Sequence, residues 1–218
     1  MTTPRQRRVA DIGNQYDFRE SGAQVSRFSA KSLTMVGNAS VSSGALQLDG
    51  SGDYAYSDLF GTGDSATGDK AYEVWFSTSR GSQASGQWVV SKRDNATKNE
   101  HQVVLGIDTN EILVSVWDNV GGQGLFSGVT ATAGTVYHVV LNARGLSGED
   151  CDLYVNAELK ASVTLRSDRK QGSLPVYFGT RSWDTGNGQF AGRIYEWRKY
   201  WRLLTPVEIQ MLYKAGRF

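Results

Sequence analysis

The chain has 218 residues, of which 39% are hydrophobic and 21% charged, enough apolar material for one sizeable core. Lysine and arginine number 23 against 22 aspartates and glutamates, which removes the counterion-release drive toward nucleic acid and excludes an acidic tail. A single cysteine, Cys151, excludes an intrachain disulfide, and no apolar run approaches the ~20 residues that span a bilayer.

The N-terminus opens on "PRQRR", where Arg5, Arg7 and Arg8 crowd together ahead of any hydrophobic pattern. Residues 1–30 are polar with scattered Tyr16, Phe18 and Phe28. Two readings stay open for this segment: an edge strand, or an arm whose arginines and aromatics contact another chain. The remainder, 31–218, reads as one domain without linker, repeat or low-complexity tract. No apolar stretch follows Met1, so the chain is expected to be soluble and not exported by a signal peptide. The sequons at Asn38 and Asn95 then have no role.

In "ALQLDGSGDYAYS" (45–57), Leu46 and Leu48 alternate onto one face, Gly50 and Gly52 permit positive φ, and Tyr54 and Tyr56 resume the alternation. This is a turn between two strands. Period-two runs then follow as "AYEVWFS", "QWVVSK", "HQVVLGI", "EILVSVW", "TVYHVVLN", "CDLYVN", "LKASVTL" and "LPVYFGT", each of strand length and rich in β-branched and aromatic residues. Turn signals such as "GTGDSATGD", "DNVGGQG" and "RGLSGED" separate them. An all-β antiparallel sandwich of about ten or more strands is therefore expected. One helix is predicted at 206–214: Thr205 caps it, Pro206 takes the first position, Glu208 completes a capping box, and Gly216 stops it. Ile209, Leu212 and Tyr213 form its apolar stripe.

Chemistry is sparse. His101 and His138 have no Cys or second His at ligand spacing, so zinc is not supported, and His138 in "VYHVV" reads as a hydrogen-bonded structural histidine. Trp75, Trp88, Trp117 and Trp197 lie in alternating runs, where packing accounts for them. Trp183 differs. It sits in the polar loop "TRSWDTGNGQ" with Arg181, Asp184 and Asn187, a composition suited to stacking a sugar ring while bonding its hydroxyls, or else to anchoring the loop on the sandwich.

The order of these pieces, closing with "QFAGRIYEWRKYWRLLTPVEIQMLY", resembles the laminin G-like domain family with the concanavalin A-like lectin fold, from about residue 35 to the C-terminus. Members typically show "FDG..DYV", "E.W", "WHHVA", "LYVDG" and "F.G.IDEVRIYNRALT..EI" in this order. The resemblance implies a jelly-roll sandwich. It also raises calcium, for which Asp49 and Asp53 are the weak candidates, but two loop carboxylates fall short of a six- to eight-oxygen shell. Where the family pattern has "IDE", this chain reads Ile194, Tyr195, Glu196, so no metal or other cofactor is expected. Glycoside hydrolases also use this fold, with two carboxylates placed across the scissile bond. Glu73 and Glu196 read as isolated on their strands, and Glu149 and Asp150 sit in a solvated turn, so no catalytic residue is assigned.

Two functional classes remain. Phage proteins that resemble the family often carry the same "VGNA…LxLDGSGDY" opening, which implies a non-catalytic virion-surface component, made in the host cytoplasm and assembled with other virion chains or as a homo-oligomer. The alternative is a carbohydrate-binding module that holds a glycan through loop aromatics. Neither calls for nucleic acid or membrane.

Overall fold

The computed structural model describes residues 12–18, 33–57, 68–80, 86–92, 103–168, 175–181 and 188–216. These residues form two antiparallel sheets packed face to face. The eight-stranded sheet runs β13 (Glu158–Thr164), β12 (Asp150–Val155), β11 (Val136–Ala143), β6 (Lys70–Thr78), β15 (Ala191–Tyr200), β4 (Ala45–Asp49), β3 (Ser40–Ser42), with β1 (Ile12–Asp17) also paired to β15. The seven-stranded sheet runs β10 (Gly122–Thr130), β9 (Glu111–Trp117), β8 (Val103–Asp108), β7 (Gln87–Lys92), β14 (Val176–Phe178), β5 (Tyr54–Ser57), β2 (Thr34–Val36). The expected sandwich is what forms. Three short or glycine-rich strands carry no clear alternation in the sequence: β2, β3 and β10, whose opening "GQG" reads as a turn.

Alternation builds the core. Val74, Phe76, Val139, Leu141, Ile194 and Trp197 of one sheet meet Val89, Leu105, Ile112, Val114, Val176 and Phe178 of the other, all buried. Full burial of such a side chain is worth about 1.5–3 kcal/mol.

The turn after β4 is a turn, but not a hairpin. Leu46 and Leu48 are buried, and Gly50 and Gly52 both adopt φ of +80°. The strands on either side belong to different sheets: β4 pairs with β15 and β3, whereas β5 pairs with β14 and β2. The stretch is therefore a corner that carries the chain from one layer to the other.

The C-terminal helix, α1 (Pro206–Ala215), has the capping box read from the sequence. The Glu208 N–H donates to Thr205 Oγ1 at 3.2 Å, and the Thr205 N–H donates to Glu208 Oε2 at 2.8 Å. Arg202 grips the same carboxylate with two N–H bonds of 2.7 and 2.9 Å. Gly216 N–H closes the end on the Leu212 carbonyl at 2.9 Å. Ile209 and Leu212 lie in a second apolar cluster with Ala71, Val140, Tyr154, Tyr200 and Leu204, so the helix covers the outer face of the eight-stranded sheet.

The N-terminal segment requires a correction. Tyr16 and Phe18, read as candidate contacts to another chain, are buried at 0% and 1% exposure in this chain's own core. Tyr16 lies across from Trp197 in the β1–β15 ladder and meets Phe178 edge-on at 5.7 Å; Phe18 packs on the same Phe178 ring at 6.1 Å. The alternation of a short edge strand puts both rings inward, so neither is available to a partner. Arg5, Arg7, Arg8 and Phe28 lie outside the described residues. Tyr16→Ala is expected to lower unfolding stability by about 3–5 kcal/mol, the cost of emptying an aromatic core site, in a chemical denaturation experiment. A loss below about 1 kcal/mol would show that β1 is dispensable to the sandwich.

Candidate ligand-binding surface

The strongest cluster of titratable groups lies under the helix. Glu73 on β6 is fully buried, and Arg198 on β15 donates to both its oxygens at 3.2 and 3.4 Å. Tyr200 Oη donates to Glu73 Oε2 at 2.6 Å, Trp75 Nε1 donates to Oε1 at 3.2 Å, and His138 Nε2 stands 3.1 Å from Oε1. Arg198 also pairs with Glu196, whose Oε1 accepts from Gln15 Nε2 at 2.7 Å. Glu73 and Glu196 are thus not isolated, as the sequence reading had them: strand register places Arg198 opposite Glu73, two residues beyond Glu196, and one guanidinium serves both.

Burial pushes the Glu73 carboxyl upward, but the Arg198 charge, His138 and Tyr200 outweigh it and hold the group well below the usual carboxylate range. Burial and the Glu73 charge push the Tyr200 phenol up. The ring of His138 stacks on Trp75 at 4.4 Å, and Tyr213 of the helix stacks on Trp75 at 6.0 Å. A carboxylate that is permanently ionised, fully bonded and roofed by a helix has no access to a glycosidic bond and no proton to give. The arrangement ties three strands to the helix.

The corner at Asp49 and Asp53 is equally occupied. Asp53 accepts the N–H groups of Asn38 at 2.9 Å and of Asp49 at 3.0 Å. Asp49 accepts Ser51 N–H at 2.6 Å and Asn38 Nδ2–H at 3.1 Å, and the Asn38 and Ser51 bonds hold its carboxyl low. Each oxygen of the pair has an N–H donor. Among the described residues no three His, Cys, Asp or Glu side chains come together, so these two carboxylates organise the turn and do not amount to a calcium shell.

A cavity of about 30 Å³ lies between the sheets, lined by Val74, Val90, Leu105, Val114, Val176 and Trp197 among others. It holds about two waters at most and no sugar.

The outer face of the seven-stranded sheet is built differently. At three places an aromatic ring lies directly over a glycine of the same face. A Cβ on Gly106 would come within 2.8 Å of the Trp88 ring, one on Gly122 within 2.7 Å of Trp117, and one on Gly124 within 3.0 Å of Phe126. Only a residue without a side chain permits this approach. Phe126 is 55% exposed. On the adjoining strands Tyr54, Tyr56 and Tyr177 group with ring centroids 5.5–6.4 Å apart.

Trp88 marks the end of this face nearest the expected binding loop. The guanidinium of Arg181 lies 4.2 Å over its ring, and the backbone N–H of Trp88 donates to the Gly188 carbonyl at 2.9 Å. Arg181 and Gly188 flank residues 182–187, so both sides of that loop are anchored at Trp88. Trp183, Asp184 and Asn187 themselves lie outside the described residues. Of the sequence-selected glycan residues, the structure thus locates Arg181 alone, and it supplies a partner the sequence reading passed over: Trp88 looked like ordinary packing, whereas Gly106 inside the strand "VVLGI" was the available sign that something lies close against the backbone.

The Glu73 network has a measurable consequence. Its folded-state pKa is depressed, so its stabilisation is complete above the ordinary carboxyl value of 4.5 and is lost as pH falls toward the folded value. Glu73→Gln is expected to destabilise at neutral pH by about 3–5 kcal/mol, because Arg198 is left without its main counter-charge, and to flatten the decline in melting temperature below pH 4.5. An unchanged acid limb in the variant would locate the acid sensitivity elsewhere.

Comparison with known proteins agrees with this architecture. No curated protein sequence matches the chain. Among solved structures, the ligand-binding domain of botulinum neurotoxin serotype D in complex with N-acetylneuraminic acid superposes with a TM-score of 0.75 at 15% identity, covering 94% of this chain and 52% of that one. The binding domain of Paraclostridial Mosquitocidal Protein 1 gives 0.73 at 15% identity, with 94% and 52% covered. The receptor-binding domain of botulinum neurotoxin C/D mosaic serotype gives 0.73 at 14%, with 95% and 52% covered. The chain spans about half the length of these structures, and at such identities the likeness is one of fold. The family model described as the concanavalin A-like lectin/glucanases superfamily matches residues 49–210, and the chain belongs to that family.

Proposed function

We propose that this domain is a non-catalytic recognition module whose ligand is a glycan, bound at the corner formed by Trp88 and Arg181. The observation that carries the reading is the Arg181–Trp88 stack, 4.2 Å apart, on the glycine-floored outer face. The guanidinium lies over the indole, which is itself seated on the backbone, so the ring fixes the arginine in place and the arginine carries the donors suited to hydroxyl or carboxylate oxygens. The expected contributions of Trp183, Asp184 and Asn187 belong to the same proposal. The structural neighbours include a domain in complex with N-acetylneuraminic acid, which supports a glycan as the ligand class without naming it.

The absence of catalysis is part of the reading. Its support is the state of Glu73 and Glu196, which are consumed by Arg198, Gln15, His138 and Tyr200. The placement on a virion surface stays a proposal about context, carried by the order of the sequence motifs. Stoichiometric copurification with particles would support it, and an Arg5, Arg7 and Arg8 triple alanine variant that still assembles would remove the arm from it.

On a glycan array the protein is expected to retain a defined set of sugars. Arg181→Ala and Trp88→Ala should each weaken binding about tenfold with the fold intact by circular dichroism. Retention of full affinity in both variants would move the site off this corner. Hydrolysis of a polysaccharide that Glu73→Gln or Glu196→Gln abolishes would overturn the non-catalytic reading.

A further inference from the structure

We infer that the side of the sandwich where β10 and β13 run together is an interface between two copies of this chain, each β10 pairing antiparallel with the other about a two-fold axis at Leu125. It is independent of the glycan corner at Trp88. β10 is the outermost strand of the seven-stranded sheet, nine residues long, and "GQGLFSGVT" contains no charge and no proline. Sheet edges are normally blunted by brevity, by charge or by a bulge. The other outermost strands follow that rule: β2 and β3 have three residues each, and β13 carries Lys160 at its register shift, between Leu159 opposite Tyr154 and Ala161 opposite Leu153. β10 is closed at its far end, where Glu111 accepts the Gly128 N–H, Ser127 Oγ accepts the Val129 N–H at 3.1 Å, and the Tyr137 hydroxyl donates to the Thr130 carbonyl at 3.0 Å. Among the described residues nothing of this kind meets 122–126.

The β9–β10 turn fixes which backbone groups face outward. Asp118 N–H donates to the Gly121 carbonyl at 3.1 Å, so antiparallel alternation makes Val116 with Gln123 and Val114 with Leu125 the bonded pairs. Gly122, Gly124 and Phe126 therefore turn their N–H and C=O groups away from β9, and all three residues are exposed. A two-fold axis at Leu125 sets Gly124 opposite the partner's Phe126, so outward groups meet outward groups. The Phe126 ring lies against Gly124 of its own strand, and a second glycine opposite leaves it room. No charge on either strand meets its like.

The flanks of β10 select a second copy over a single added strand. Both sheets end on this side, since β13 runs beside β10. Val120 in the β9–β10 turn, Leu146 in the β11–β12 turn and Leu159 on β13 are 65%, 45% and 55% exposed. Asp168 ties the two turns together: its carbonyl accepts the Asn119 N–H at 3.2 Å and its carboxylate the Ser147 N–H at 2.9 Å. One foreign strand would pair with β10 and leave Leu159 and the turns in water. A second copy presents the same apolar strip to its own image, as an isologous contact requires.

Sedimentation equilibrium of the full chain from about 1 to about 100 μM tests this, with a species of twice 23.9 kDa expected to dominate at the upper end. Phe126→Lys should return the protein to monomer by placing charges beside the axis, and Phe126→Tyr should keep the dimer. Gly124→Pro should also give monomer, because it removes an N–H that β9 does not use. Hydrogen exchange at the Gly124 and Phe126 amides should slow at least about tenfold between the dilute and the concentrated sample. If Gly124→Pro loses the β spectrum in circular dichroism, Phe126→Lys and the exchange rates decide. A monomer at every concentration would overturn the interface. So would a dimer that Phe126→Lys leaves intact, or one that forms without protecting these two amides.

Discussion

Placing Glu73 in the middle of the eight-stranded sheet constrains everything around it. An ionised carboxylate removed from water needs donors on every side, and here they come from three directions: Arg198 and Tyr200 from β15, His138 from β11, and Trp75 from its own strand. Those donors are bulky, and their apolar surfaces must in turn be hidden. Helix α1 does this, with Tyr213 stacking on Trp75 and Ile209 and Leu212 filling the space beside Val140 and Tyr200. The capping box and the Arg202–Glu208 pair then fix where the helix begins, so that its stripe meets this cluster. Removing the roof would expose the network; removing the network would leave the roof on unpaired charges.

That same constraint sets the two outer faces apart. One is committed to holding the helix, and its titratable groups are saturated by one another. The other carries rings that rest on glycine backbones, an arrangement that costs conformational entropy at each glycine and adds little to the core. Aromatic cover of a glycine also stabilises a sheet edge, which accounts for Trp117 over Gly122 at the β9–β10 hairpin. It accounts less well for Trp88 over Gly106, two strands in from that edge, where an ordinary β-branched pair would pack as well without an arginine stacked above it.

Much of this was readable in the sequence. Period-two alternation identified most strands of the core, and the residues from Thr205 to Gly216 specified the helix and both its ends, because capping is a local property. What the sequence obscured was pairing over distance. The corner at Gly50 and Gly52 looked like a hairpin because turn chemistry is the same whether the next strand returns beside the last or crosses to the other sheet. Gly122 and Gly124 looked like turn residues because glycine lacks the side chain that would reveal a strand period. Tyr16 and Phe18 sit in a polar segment whose apolar spacing is too short to announce a strand, yet a sheet already formed can recruit a six-residue edge that carries Tyr16, with Phe18 just beyond its end.

The site shows the same division. Arg181 and its loop stood out by composition, since an arginine beside tryptophan, aspartate and asparagine in a polar stretch has few packing duties. Trp88 did not stand out, because a tryptophan in an alternating run is normally core, and the bulge between Trp88 and Val90 that puts both Val89 and Val90 inward is invisible in the sequence. The bulge matters to the chemistry. It resets the alternation of β7 so that Trp88 emerges outward beside Gly106 while two consecutive valines stay buried. In this way a local irregularity, not a loop, presents the indole to the surface.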